Sequence, residues 1–345
     1  MVFFRTSSDG FESSADYLIG SYGSAGGSAC CILGSGRSVR GRLKELSSQL
    51  RGNQISPFSI NWGGFDADSG WDCYPALWTS YDYVDRFSAN LFRDPSVIKF
   101  VPQGREQEWL RDGRYSASEC PNVYSFRHSV KQLGNFFGSG PIIDGKDSFV
   151  QAIDIAIRLG FKRIFLAGCD LFISLNTAQV EWLNSELSAL PDDKGQVEEF
   201  ILGDPRVSIW GAVSLIATRK KTTATPVISE LAGLGDLEAY SFGNAGADWY
   251  KAVMMDHHCY VSADLLVQSR RLLDKLGVSV ILLDDYTSPI GRLRRFFPSL
   301  NLTTLPRELK PDYSLPTRGV AVHVAPYAGT SSAANNRQGD SNGTK

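Results

Sequence analysis

The chain has 345 residues, enough for one large α/β domain or a core domain carrying a substantial insertion. Its 43% hydrophobic and 21% charged content is ordinary for a globular protein that buries a core, and a formal net charge of −2 disfavours duplex nucleic acid as a primary partner. No apolar segment approaches the ~20 residues that span a bilayer.

Residues 1–26 are Gly- and Ser-rich and weakly patterned, and read as a flexible arm without the apolar core of a signal peptide. From Gly27 the pattern sharpens. GSACCILG is a short strand-type run that ends in Gly34-Ser35-Gly36. Residues 37–50 have helical composition, Arg51-Gly52-Asn53 stops them, and SPFSINW (56–62) reads as a second strand. Strand, turn, helix, strand is the opening of a doubly wound fold. A loop rich in Gly, Asp and aromatics leads into PALWTSYD, and SVIKFV (96–101) and NVYSF (122–126) read as further strands. Residues 147–172 combine an apolar helical repeat, SFVQAIDIAIRLGF, with KRIFLAGCDLF, whose continuous apolar character marks a strand buried on both faces. Residues 173–255 hold a helix near 178–190, a weak strand near Val207 and the polar run TRKKTTAT, and are taken as an insertion or lid. A last helix (262–276) and strand (VSVILLD) complete the core over 256–310, and residues 311–345 read as a mostly disordered tail.

The expectation is therefore a Rossmann-like, doubly wound, mainly parallel α/β core over 27–172 and 256–310 with an inserted lid or small subdomain. Cys30, Cys31, Cys73, Cys120, Cys169 and Cys259 include no CxxC pair, so free thiols in a reducing, cytoplasmic compartment are expected rather than disulfides or a zinc site.

Six places could carry chemistry. Gly34, Ser35, Gly36 and Ser38, between a strand and a helix, suit an anionic group approached by backbone N–H groups; the bland reading is a tight turn. Asn61, at the tip of the second strand, is either a ligand for a base or ribose or an Asx-turn residue. Asp82, after Trp78 and Tyr81, could hold a ribose or Mg²⁺, or cap a helix. Asp170 stands at the exit of the buried strand, where a carboxylate is costly unless paired or solvated in a crevice; Ser148 is an N-cap or a crevice residue. In Asp256-His257-His258-Cys259, expected just before the final helix, an imidazole near a helix N-terminus stays neutral and suits a general base; a capping or surface role is the alternative. Arg292, Arg294 and Arg295 form an anion site or, more simply, a solvated basic face.

In order and spacing these pieces resemble two related groups. One is the bacterial lipooligosaccharide sialyltransferases, glycosyltransferase family 42; the other is the motility-associated glycosyltransferase-like proteins, similar in fold to 6-hydroxymethylpterin diphosphokinase. The resemblance lies in GSGRS, the Asn-tipped SIN, DSFVQAIDIAIRLGFKRIFLAGCDLF and HCYVSADLLVQSRRLLDKLGVSVILL, and covers about 110 residues in four blocks. Arg37 stands where those groups have Pro, Phe149 where the sialyltransferases have Gly, and Phe172 where they have Tyr. The resemblance implies a glycosyltransferase with a CMP-, UDP- or GDP-linked sugar donor and a glycan, protein or other hydroxyl acceptor. It implies Gly34, Gly36, Asn61 and Ser148 on the nucleotide, Asp170 on the ribose or sugar, and His258 as base. The second implied class is Mg²⁺-dependent pyrophosphoryl transfer from ATP, through Asp82 or Asp170. A third expectation is a non-catalytic assembly protein on a degenerate fold of this kind.

Overall fold

A computed structural model describes residues 2–6, 12–23, 29–82, 87, 89–105, 120–129, 140–143, 147–173, 175–189, 208–235 and 249–305. Its strands, in chain order, are β1 (Phe3–Thr6), β2 (Glu12–Ser14), β3 (Ala29–Leu33), β4 (Ser56–Ile60), β5 (Phe65–Asp66), β6 (Gly70–Trp71), β7 (Leu77–Thr79), β8 (Ile98–Pro102), β9 (Val123–Phe126), β10 (His128–Ser129), β11 (Ile142–Ile143), β12 (Arg163–Ala167), β13 (Ser279–Leu283) and β14 (Ser299–Leu300). The α-helices are α1 (Leu43–Gly52), α2 (Ala89–Arg93), α3 (Ser148–Leu159), α4 (Thr177–Ser188), α5 (Ile209–Arg219), α6 (Ala224–Ala232), α7 (Trp249–Gln268) and α8 (Arg270–Leu276).

Ten strands form one sheet in the order β14-β13-β12-β3-β4-β7-β8-β9-β1-β2. Every pairing from β14 to β9 is parallel, and β1 and β2 close the far edge antiparallel. After β1 and β2 at that edge, the chain enters the middle of the sheet at β3, runs outward to β9, returns to the other side of β3 as β12, and runs outward again. This is a Rossmann-like, doubly wound α/β fold, with its topological switch between β3 and β12.

Period-2 alternation along the strands feeds two layers. Cys30, Ile32, Ile164 and Leu166 face a core built with α3, α8 and the second half of α7. Cys31, Leu33, Phe165 and Ala167 face the opposite core, closed by Leu43, Leu46 and Leu50 of α1. Each fully buried Ile, Leu or Phe there is worth about 1.5–3 kcal/mol. That continuous burial is why ACCIL and RIFLA are unbroken apolar runs.

The described residues between 173 and 255 include a helical subdomain with its own core, in which Leu183, Leu187, Ala212, Val213, Ile216, Val227 and Leu231 from α4, α5 and α6 pack against Ala252 and Val253 of α7. The same helix then places Ala263 and Leu266 in the sheet core. A boundary at 256 therefore cuts a helix that starts at Trp249. Two further expectations change. The N-terminal segment is no loose arm where it is described, since Phe3 and Phe4 pair with Phe126 and Ser125 of β9 and bury in the core. The three-residue β7, LWT, is a central strand inside what reads as a loop. Val207 and the tail 311–345 lie outside the described residues. Among the described residues no helix is long and apolar enough to cross a membrane.

Candidate functional site

In an open α/β sheet the ligand crevice lies outside the carboxyl ends of the strands, at the switch point. Here that edge carries the turns after β3, β4, β7 and β12 and the start of α3, and the segment after β12 bonds to α7 through Ile173 N–H and Asp256.

The turns after β3 and β12 are packed backbone to backbone. Gly34 N–H donates to Ala167 O at 2.9 Å and Gly36 N–H to Gly168 O at 2.8 Å. A Cβ at Gly34 would stand 2.2 Å from Gly168 O, and one at Gly36 would stand 2.4 Å from the same oxygen and 2.6 Å from Asp170 Oδ2. The glycines are thus required by a neighbouring loop, and their N–H groups, expected to hold phosphate, are already used. Ser35 sits half-buried between them.

Asp170 fastens these turns to a third. Its Oδ1 accepts from Ser38 Oγ at 2.9 Å and from Ser288 N–H at 2.8 Å, while Oδ2 faces Ser38 N–H at 3.3 Å. The carboxylate is 2% exposed. Burial raises its pKa, and the hydrogen bonds from Ser288 and Ser38 oppose that rise. The cost of a buried carboxylate at a strand exit is therefore offset by internal donors. Asp170 thus staples the turns after β3 and β12 to the segment at Ser288.

Asn61 and Ser148 do come together. Ser148 Oγ donates to Asn61 Oδ1 at 3.1 Å and accepts Tyr81 N–H at 2.7 Å, tying the tips of β4 and β7 to the first turn of α3. Asn61 sits at φ 53°, in the left-handed region, fixed by its N–H on Thr79 O and by the Trp78 indole N–H on its carbonyl. Its Nδ2 donates to no group among the described residues. Leu171, at φ 56°, is a second non-glycine residue in this conformation on the same edge. Such strain persists where surrounding contacts over-determine it, and it gathers at ligand sites. Asp82 follows this turn half-buried, its N–H on Ser80 Oγ at 2.9 Å.

Two groups that the sequence reading passed over complete the edge. Asp147, rather than Ser148, is the N-cap of α3, and its Oδ1 accepts from Phe149 N–H and Val150 N–H at 2.8 and 2.9 Å. Oδ2 carries no hydrogen bond among the described residues. Burial pushes this carboxyl up to about 7, against the pull of the two N–H groups. Its charge is felt at Cys169 and at Cys259, whose thiols burial also pushes up, that of Cys259 to about 12. His128 is the second, at the start of β10 just past β9. Its Nε2 lies 3.2 Å from Gln151 Oε1, its ring is 5.4 Å from that of Tyr81, and Gln151 Nε2 donates to Thr79 Oγ1 at 2.6 Å. The available signals were an Asp before an apolar helical repeat and a His just past a strand.

The Asp256–Cys259 segment is not where it was expected. His257 and His258 lie midway along α7 rather than just before a helix, so the N-terminus of their own helix does not supply the dipole expected for His258. At about 100° per residue, His258 is turned roughly 200° from Asp256, the residue that faces the core. Asp256 is buried, accepts from Ile173 N–H and Ile209 N–H, and pairs with Arg292 at 3.0 Å. Arg292 is 1% exposed, which corrects its reading as part of a solvated face. Arg294 pairs with Asp284 and donates to Thr287 O and Ser288 O.

Among the described residues no three His, Cys, Asp or Glu side chains converge as a metal-ligand set. No family model, no curated protein and no solved structure matches the chain.

Proposed function

We propose that the chain is a transferase that takes a sugar from a nucleotide-activated donor bound at the carboxyl edge of the sheet. The observation that carries this reading is the junction at the start of α3, where Ser148 Oγ ties the turn capped by Asp147 to Asn61, whose Nδ2 donates to no group among the described residues. In this reading Asn61 Nδ2 donates to the ribose or base, and the N-terminal turn of α3 lies towards the phosphate. Asp147 Oδ2 removes the proton from an acceptor hydroxyl as that oxygen attacks the anomeric carbon, with the nucleotide leaving. A pKa near the working pH suits a group that must both take and release a proton. Asp147 replaces His258 in the role of base, because His258 is mid-helix and turned from the core side of α7. The order of motifs that resembles family 42 supports the donor class.

The test is thermal shift of the full chain against nucleotides and CMP-, UDP- and GDP-sugars, with and without Mg²⁺. A ligand at ~100 times its Kd stabilises the protein by about 2.7 kcal/mol, which is readily seen. A nucleotide-sugar response that Asn61→Gly abolishes, with turnover lost in Asp147→Asn, is the expected result. Response to ATP and Mg²⁺ alone favours pyrophosphoryl transfer instead, and silence across the panel rejects the reading.

A further inference from the structure

Immediately after Asn61 the chain forms a small aromatic hairpin from β5 and β6, in which Phe65 pairs with Trp71 and Asp66 with Gly70. Trp62, Phe65 and Trp71 are all partly buried, with some ring surface left to solvent. The Trp62 ring lies 4.8 Å from Phe65, 6.2 Å from Trp71 in stacked orientation, and 5.1 Å from Phe87. Phe87 in turn meets Trp78, which is fully buried. The outer rings therefore rest on a rigid inner layer. The hairpin is also pinned at its base, since a Cβ at Gly63 would stand 1.8 Å from Leu33 O, the last residue of β3. This fixes the aromatic surface beside the switch point, continuous with Asn61.

Three large aromatic side chains side by side keep part of their surface in water, and apolar patches rimmed by polar groups mark binding surfaces. The rim here is acidic. Asp68 is exposed at the hairpin tip, Asp66 spends only Oδ1 on the turn, and Asp72 accepts from Ser69 Oγ. Lys44 approaches Asp72 at 3.7 Å. Carboxylates accept hydrogen bonds from hydroxyls and repel phosphates, so this surface is unsuited to a nucleotide. Aromatic faces carry partial negative charge and attract the partially positive C–H face of a pyranose ring.

We infer that the Trp62–Phe65–Trp71 surface is a carbohydrate subsite that holds the acceptor as a neutral glycan. Sugar rings lie on the indoles and their hydroxyls donate to Asp66 and Asp68. As an acceptor site this rests on the transferase reading; as a glycan-binding surface it stands independently.

The experiment is calorimetry and tryptophan fluorescence of the full chain with neutral hexasaccharides of glucose, xylose, mannose and N-acetylglucosamine. Binding of at least one, tighter than about 1 mM, is expected. Trp71→Ala should weaken it by roughly tenfold or more, and Trp71→Phe, which keeps a ring, by only a few-fold. Asp68→Asn, a surface change that leaves the fold intact, should also weaken it. Absence of binding to all four sugars, or binding indifferent to both Trp71→Ala and Asp68→Asn, overturns the inference. So does loss of the nucleotide response in Trp71→Ala, which would make the hairpin a base-stacking site. A nucleotide-sugar response without glycan binding rejects this subsite and spares the transferase reading. Glycan binding without any nucleotide response does the reverse.

Discussion

Arg292 and Asp256 form an ion pair with almost no access to water, their side chains 2% and 1% exposed and 3.0 Å apart. Arg292 also donates to Leu171 O at 2.6 Å, so one guanidinium joins α7 to the loop that leaves β12. Arg292→Met would leave a buried carboxylate with only two backbone donors, at a cost of about 3–5 kcal/mol. Urea denaturation should show this loss, and combining the change with Asp256→Leu should cost less than the sum of the two.

The contact between the β3 and β12 turns predicts intolerance of any side chain there. Gly36→Ala must push apart Gly168 O and the Asp170 carboxylate, both within 2.6 Å of the new Cβ. A loss of about 2–4 kcal/mol is expected from backbone displacement and disturbed buried hydrogen bonds. Equilibrium unfolding measures it, and a neutral outcome would mean that the two turns are not packed in this way.

At Asn61 backbone and side chain make separable predictions. Asn61→Gly keeps the left-handed conformation, loses the amide, and should leave stability within about 1 kcal/mol while removing the nucleotide response. Asn61→Ala adds the strain of a Cβ at positive φ, about 1–2 kcal/mol more. Thermal unfolding of the two variants side by side separates the effects.

Asp147 gives a signature in pH. Its folded-state pKa, about 7, lies above the unfolded value near 4, so its favourable contribution is complete below pH 4. That contribution is lost as pH rises to 7. Asp147→Asn keeps a competent N-cap without the charge. The melting temperature of the variant minus that of the wild type should therefore climb between pH 4 and pH 7 and level off above. A flat difference would mean that Asp147 titrates as an ordinary surface carboxylate.

Much of the sheet was legible because burial on both faces leaves an unmistakable trace, as in ACCIL and RIFLA, which became β3 and β12. β7 was not legible, because Thr79 fills a core position by giving its hydroxyl to Phe100 O, and three residues hold no period. The start of α7 was hidden for a related reason. Asp256 occupies a buried helical position that reads as polar, and its partner Arg292 lies far along the chain. Without that pairing, DHHC reads as a loop and His258 as sitting near a helix start. Asn61 and Ser148 were found from their places at a strand tip and a helix start. Asp147 was missed because an N-cap aspartate has a sufficient local explanation, and only burial distinguishes it from others.

The helix that threads both hydrophobic cores also governs how the protein comes apart. Val253 belongs to the helical cluster and Ala263 to the sheet, yet both are on α7, with no linker between them in which one body could melt first. Fraying α7 at either end strips apolar contacts from a core, and the buried Asp256–Arg292 pair sits between the two. Two cores of this kind lose their order together, in one calorimetric transition whose van't Hoff and measured enthalpies agree.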